Sequence, residues 1–351
     1  MTDHSLQPAL RKLAEGRDLT PQEAADAMCA LMDGAATPAQ IGALLMGLRI
    51  KGETVAEAAA FAQQMRARLV PVPAKRRPLL DTCGTGGSVC RVFNVSTAVA
   101  FVAAAAGHAV AKHGNRAMSG VCGSADVLEA LGVRIDLSPT QCAACIDEVG
   151  IGFLFAPAHH PATRHVSGPR RELGVRTIFN LLGPLSNPAG ATHQVMGVYA
   201  APLCPLAAGA LRELGSARAL VVHGDIGIGE ISTIGSTRVC EMIDGDIHDA
   251  MLTPTDLGLR GPEPNLADLA PAPTPAENAA LLRAVLAGHD RDAATCARRD
   301  LVAVNAAAAL RVLGAVATWP AAVEMAQEIL ASGAALTKLE QLAAFTCEMQ
   351  Q

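Results

Sequence analysis

Aromatic side chains are scarce. The 351 residues hold one Trp (Trp319), one Tyr (Tyr199) and seven Phe, 3% in all. That excludes the stacking platforms with which proteins grip single-stranded nucleic acid. Positive charge is short as well: 28 Lys and Arg face 33 Asp and Glu, for a formal net charge of −5. No global basic field exists to gather a polyanion, so any phosphate site must be local. Long apolar runs are missing. The most apolar stretch, Ala98–Ala111, falls short of the ~18 residues of a membrane span and is interrupted by Gly107 and His108. The N-terminal residues lack the apolar run of a signal peptide. Ten scattered cysteines read as reduced, mainly buried thiols of a cytoplasmic protein, not as a disulfide scaffold. Cys142 and Cys145 form a C-x-x-C with no second ligand pair nearby, which favours a helix face over a zinc site.

What is present is apolar bulk. Half the residues are hydrophobic and 17% are charged, enough for a sizeable core and, at about 100–200 residues per domain, roughly two domains. Residues 1–72 read as a helical unit and a dimerisation candidate, joined by a later helical segment. Thr20-Pro21-Gln22-Glu23, Thr37-Pro38-Ala39-Gln40 and Thr54-Val55-Ala56-Glu57 each offer an N-cap hydroxyl and a carboxylate or amide that reaches back. Gly34 and Gly52 mark helix ends. A Pro-rich, basic linker near 71–78 follows, and 79–351 reads as an α/β domain with a mainly parallel central sheet flanked by helices. Strand candidates are Leu79–Asp81, Ala109–Ala111, Gly152–Phe155 and Ala219–Val222. Thr237–Ile243 followed by Asp244-Gly245 reads as a hairpin arm, and the chain is helical again from Glu277.

Two segments carry chemistry. Asp81-Thr82-Cys83-Gly84-Thr85-Gly86-Gly87-Ser88, with Asn94, Ser96 and Thr97, places glycines and small donors between a strand and a helix. Convergent N–H groups and a helix N-terminus can cradle an anion there. The P-loop spacing is absent. Lys112-His113-Gly114-Asn115-Arg116-Ala117-Met118-Ser119-Gly120, with Ser124, makes a second cradle after the next strand. Two such loops at the carboxyl ends of a parallel sheet suit a substrate with two separated phosphate groups.

The motifs GTGG…FNVST, KHGNRAMSG…GSAD-x-LEALGV and RRELGVRTIFNLLGPLSNPA (Arg170–Ala189) resemble those of the anthranilate phosphoribosyltransferase family, as do Thr37–Gly42 and Leu48–Thr54. The resemblance spans nearly the whole chain. It implies a helical domain plus a larger α/β domain, as in pyrimidine nucleoside phosphorylases, and a homodimer. It also implies transfer of phosphoribosyl from phosphoribosyl pyrophosphate (PRPP) to the amine of anthranilate in tryptophan biosynthesis, with magnesium and without a protein nucleophile. Carried over residue by residue, PRPP falls to Gly84, Gly87, Ser88, Val92, Asn94, Val95, Ser96 and Thr97, and to Lys112 through Gly120 with Ser124. Anthranilate falls to Gly84, His113, Asn115, His160 and Arg170. A guanidinium at 170 can pair bidentately with the acceptor's carboxylate, whereas Arg171 reads as a surface charge. His159 and His160 resemble an acceptor-pocket loop; on their own they read as polar loop residues.

The departures from the family pattern fall on acidic positions. Its Gly-Gly-Asp-Gly is here Gly86-Gly87-Ser88-Val89, and its His-Gly-x-Asp-Gly-Leu-Asp-Glu is His223-Gly224-Asp225-Ile226-Gly227-Ile228-Gly229-Glu230. Ser96 and Glu230 remain as magnesium ligands, which implies one ion and leaves Gly229 without the carboxylate of a second. Asp225 is shifted by one residue, which on an extended segment points it to the other face. Two further readings share these features: a related transferase for another aromatic or heterocyclic acceptor, and a low-activity paralogue acting as a binding protein. Cys83, Cys90 and Cys122 beside the loops are small packing residues or, where cations depress the thiol pKa, a redox-sensitive set.

Overall fold

The computed structural model describes residues 6–117, 120–288 and 292–349. Four helices open the chain: α1 (Gln7–Ala14), α2 (Pro21–Met32), α3 (Pro38–Lys51) and α4 (Val55–Arg66). All three expected start signals are closed capping boxes. Thr20, Thr37 and Thr54 accept the third helical amide, and Glu23, Gln40 and Glu57 accept the amide of the cap. α2 and α3 end beside Gly34 and at Gly52.

Seven strands form one sheet in the order β3-β2-β1-β4-β5-β6-β7. They are β1 (Leu79–Asp81), β2 (Ala109–Gly114), β3 (Ile151–Phe155), β4 (His193–Gly197), β5 (Arg218–Gly224), β6 (Thr237–Ile243) and β7 (Asp246–Leu252). β1 to β5 pair in parallel, and the β6–β7 arm is antiparallel. β4 escapes a reading for strands because it begins His193-Gln194. Gln194 is buried all the same, with its amide donating to the Pro184 carbonyl at 2.8 Å. β2 runs on to Gly114, so Lys112 and His113 belong to the strand and not to the loop after it.

Alternate residues of the central strands feed two cores. Val195, Leu220 and Val222 pack with β1–β3, α5 (Val95–Ala105) and the C-terminal helices. Met196, Ala219 and Val221 pack with α1–α4 and the helices Arg164–Leu173 and Leu203–Glu213. The helical unit therefore sits on the rear of the β4–β6 side of the sheet, together with later helices. From β1 the order runs outward through β2 to β3, and from β4 it runs the other way to β5. Such a switch leaves a crevice at the carboxyl ends of β1 and β4, where open α/β sheets take ligands. Among the described residues, no helix is long and apolar enough to cross a membrane.

Candidate functional site at the carboxyl ends of the sheet

The glycine loop leaves β1 and is gripped by β4. Thr85 donates its amide to the Gly197 carbonyl at 2.9 Å, and its hydroxyl oxygen accepts the Tyr199 amide at 3.1 Å. Gly86 and Gly87 take φ of 63° and 74°. Glycine is the residue that takes such left-handed backbone without strain. The Thr82 hydroxyl donates to the Ser96 carbonyl at 2.9 Å, tying the loop to the start of α5. Asn94 occupies the N-cap position but does not cap. Its side-chain amide donates to the Cys122 carbonyl at 3.1 Å, so it joins the two loops. Val95 is buried in the core and its amide is taken by Phe93, whereas Val92 is half-buried. The buried Thr97 hydroxyl oxygen has no partner among the described residues.

Lys112 stands between the loops. It is 3% exposed, and its ammonium donates to the Thr82 carbonyl at 3.0 Å and the Ser96 hydroxyl oxygen at 3.3 Å. Burial pushes its pKa down. The second loop, leading into α6 (Ser124–Ala130), is built around Asp126. One Asp126 carboxylate oxygen accepts the amides of Ala117 and Gly123 at 2.9 and 2.8 Å. Ser124 donates to the Asn115 carbonyl. The Arg116 side chain, expected to face phosphate, is committed elsewhere. It pairs with Asp126 at 3.0 Å and with Glu129, and lies over the Phe155 ring at the edge of a cavity of about 390 Å³. Met118 and Ser119 lie outside the described residues; Gly120 is exposed.

Behind the loops is a buried polar cluster. Asp81 accepts the His113 amide at 3.1 Å and the Asn187 side-chain amide at 2.7 Å, and burial raises its pKa to about 6. Asn187 also donates to the Ala111 carbonyl at 2.8 Å, which ties the Arg170–Ala189 motif to β1 and β2. His113 and His160 meet Nε2 to Nε2 at 3.3 Å. Burial, then the neighbouring imidazoles, holds His113 near pKa 3 and His160 near 4, so both are neutral at physiological pH. The two adjacent histidines part company. His160 joins His113, while the His159 Nδ1 faces the Val70 carbonyl of the linker at 3.1 Å. Neither is a surface loop residue, since both are buried.

Asp81, Cys83 and His113 bring potential metal-ligand atoms within 4.8 Å of one another. Both Asp81 oxygens already accept hydrogen bonds, and the Lys112 ammonium acts on the same carboxylate. The cluster therefore reads as a structural network. Half-buried Arg170 places its guanidinium 4.9 Å over the Phe179 ring, and among the described residues no carboxylate pairs with it; Arg171 is exposed.

The redox reading fails for Cys83 and Cys122 on desolvation. Desolvation pushes Cys83 far up and Cys122 up to about 11. All ten cysteines are free; Cys142, Cys145, Cys204 and Cys240 are buried, five are half-buried and Cys347 is exposed. Brief treatment with iodoacetamide at pH 7.5 is expected to label Cys347 first and to leave Cys83 unmodified, as read by peptide mass spectrometry. Rapid labelling of Cys83 would contradict the assignment.

Glu230 follows β5. Its Oε2 is buried with no partner among the described residues, and burial raises its pKa to about 7, opposed by the Gly229 amide. The next residue, Ile231, is clamped at its amide and carbonyl by Asn305 of the helix Ala293–Val312, at 2.8 and 2.9 Å. Asp225 is exposed in the turn that follows β5, so the two-face alternation of an extended segment does not apply to it. An orphaned carboxylate oxygen is a hard donor suited to magnesium, which takes one or two protein oxygens and leaves the rest to phosphate and water. The Ser96 hydroxyl fits less freely, because it already accepts from Lys112. The two acidic-position departures meet: the Gly229 amide donates to Ser88 Oγ at 3.1 Å.

Several contributors escape sequence reasoning. Asp81, Asp126, Asn187 and Asn305 hold the loops from beneath. Arg176 lies within 3.0 Å of where a Cβ on Gly87 would stand, with its guanidinium 4.8 Å over the Tyr199 ring. Arg176 and Asn187 fall inside the Arg170–Ala189 motif, which was the available signal.

Comparison with known proteins agrees with this geometry. The helical bundle domain of a glycosyl transferase family matches residues 7–69, and the a/b domain matches residues 76–336. The anthranilate phosphoribosyltransferase of Alkalilimnicola ehrlichii is 51% identical over 344 residues, 98% of this chain and 99% of its own. The solved anthranilate phosphoribosyltransferase of Thermus thermophilus superposes with a TM-score of 0.89 at 45% identity, covering 96% of this chain and 99% of that one. That of Saccharomyces cerevisiae, in complex with PRPP and Mg, gives a TM-score of 0.87 at 27% identity, covering 99% of each.

Proposed function

The chain belongs to the anthranilate phosphoribosyltransferase family, and from that premise we propose how its residues divide the work. The reaction moves phosphoribosyl from PRPP to the amine of anthranilate and releases pyrophosphate. The bond from the sugar's anomeric carbon to pyrophosphate breaks, a bond to the amine nitrogen forms, and the amine gives up a proton. No protein nucleophile is needed. The protein must hold charge on the leaving group and aim the amine.

The glycine loop from Gly84 to Ser88, Ser96 at the start of α5 and the Lys112–Gly120 segment with Ser124 form the PRPP site. The observation that carries this is Lys112, an ammonium buried at the end of β2 and bonded across to the glycine loop at Thr82 and to the start of α5 at Ser96. A cation with so little water around it acts strongly on phosphate oxygens. Arg176 beside Gly87 adds a second cation there. Glu230, with Ser96, would hold one magnesium ion; when bound, it would neutralise charge on the pyrophosphate. Arg170 takes the anthranilate carboxylate, and Gly84, Asn115 and the neutral His113–His160 pair position the ring and amine as hydrogen-bond partners. The chain divides near 71–78 into a helical unit and an α/β unit, a reading the matches over 7–69 and 76–336 support, and it pairs as a homodimer.

The test is loss of anthranilate fluorescence on adding PRPP, with and without magnesium, together with product analysis over a panel of aromatic amines. Turnover of another amine in preference to anthranilate would redirect the assignment. Arg170→Ala is expected to raise KM for anthranilate about 50-fold, the worth of a charge-assisted pair of about 2–3 kcal/mol, and to leave KM for PRPP within twofold. Arg170→Lys should fall between, because an ammonium lacks the two-pronged fork. Equal rises in both KM values would remove Arg170 from the acceptor site.

A further inference from the structure

Ser88 and Gly229 lie 141 residues apart in the chain and meet in the fold. The Gly229 amide donates to Ser88 Oγ at 3.1 Å, and the Cys90 amide donates to the Gly227 carbonyl at 3.1 Å. The turn before Glu230 is thus tied to the glycine loop at two points. On its other side it rests on Gly197, where a Cβ would come to 1.7 Å from the Gly229 carbonyl oxygen; only glycine fits at 197. Gly229 itself is different. Its φ lies outside the left-handed region, and a Cβ there would meet nothing closer than 3.4 Å, with Ser88 Oγ among the nearest atoms. The backbone therefore does not demand glycine at 229, and any side chain there would face the side chain at 88.

We propose that positions 88 and 229 form one unit. In this chain the unit is a neutral clasp that seats the glycine loop on the Glu230 turn without an ion, and the site takes a single divalent cation. Two acidic side chains facing each other at these positions would repel unless a cation lay between them. One acidic side chain alone would be left without its counterpart. A hydroxyl oxygen accepting a backbone amide needs no cation and keeps the two segments in register. Loss of carboxylate at both positions is then a single change, not two. This rests on the PRPP-site reading above.

Two measurements test it. The first counts Mn²⁺ bound in the presence of saturating PRPP, by electron paramagnetic resonance titration. One ion per chain is expected for the unaltered protein, for Ser88→Asp and for Gly229→Asp, and two for the double variant Ser88→Asp/Gly229→Asp. Two ions in the unaltered protein, or one in a folded double variant, overturns the proposal. The second follows hydrogen exchange at the Gly229 amide without ligand, and stays decisive where the double variant does not fold. Ser88→Ala is expected to speed that exchange at least tenfold; unchanged exchange refutes the clasp. Failure of the unaltered protein to bind PRPP would instead count against the function reading, because Gly229 exchange reports on the clasp by itself.

Discussion

Lys112→Met is expected to lower kcat/KM for PRPP by about 10²–10³ while leaving the protein folded. The lysine is 3% exposed and donates to the Thr82 carbonyl and to Ser96 Oγ. Hydrogen bonds from a charged group are worth about 1.5–3 kcal/mol each. Losing the ammonium as PRPP binds should therefore cost about 3–4 kcal/mol of transition-state stabilisation, and each 1.4 kcal/mol is about a factor of ten in rate. Stability moves less, since methionine fills a similar volume and removes a charge that folding had to desolvate. The orphaned Thr82 carbonyl sets the residual loss. Steady-state kinetics with both substrates varied, plus a thermal midpoint, check this. A kcat/KM within fivefold of the unaltered protein would take Lys112 out of the PRPP site.

Glu230→Gln is expected to weaken magnesium binding by about 100-fold, since it removes the carboxylate placed for the ion. The unaltered protein should also show a pH signature that the variant lacks. Without metal the Glu230 carboxyl titrates near 7, so protons compete with magnesium below that value. Affinity should fall by up to about tenfold per pH unit on the acid side and level off above. The stability linkage has a matching sign. The unfolded carboxyl ionises in its ordinary range and the folded one only near 7, so the folded state holds more protons between those values. Metal-free stability should therefore decline as pH rises through that window and stay low above it. Glu230→Gln should flatten both curves. Calorimetric titration of magnesium with PRPP from pH 6 to 8.5, and melting in chelator over the same range, read them. A pH-independent magnesium affinity in the unaltered protein would refute the assignment.

What was legible in the sequence was mostly local. The helix starts at Thr20, Thr37 and Thr54 could be read because each cap and its partner lie three residues apart. The two glycine-rich loops stood out because a turn that exposes amides needs small residues in sequence. β4 did not, because its first residues are polar and its burial comes from a neighbour, Pro184. Nor did the supports of the site. Asn187 serves Asp81 across 106 residues, and Asn305 serves Ile231 across 74. Such pairings depend on which strands lie side by side, which no local pattern records. Of the two readings of the loop thiols, packing holds for Cys83 and Cys122. Proximity to Lys112 suggested activated sulfur, but the same packing that brings Cys83 close also strips it of water, and desolvation is the larger effect.

Asn305 has one more consequence. It is a lone amide in the run Leu301–Leu310, otherwise alanine, valine and leucine, and through it the layer of C-terminal helices takes hold of the turn that carries Glu230. The two layers have different tolerances. Small apolar exchanges along that helix perturb packing by amounts the large core absorbs, yet any that rotate it shift the amide and, with it, the acid it steadies. Inherited variation in the last third of the chain would therefore surface first as an altered appetite for magnesium, in a protein that melts and behaves in solution like its parent.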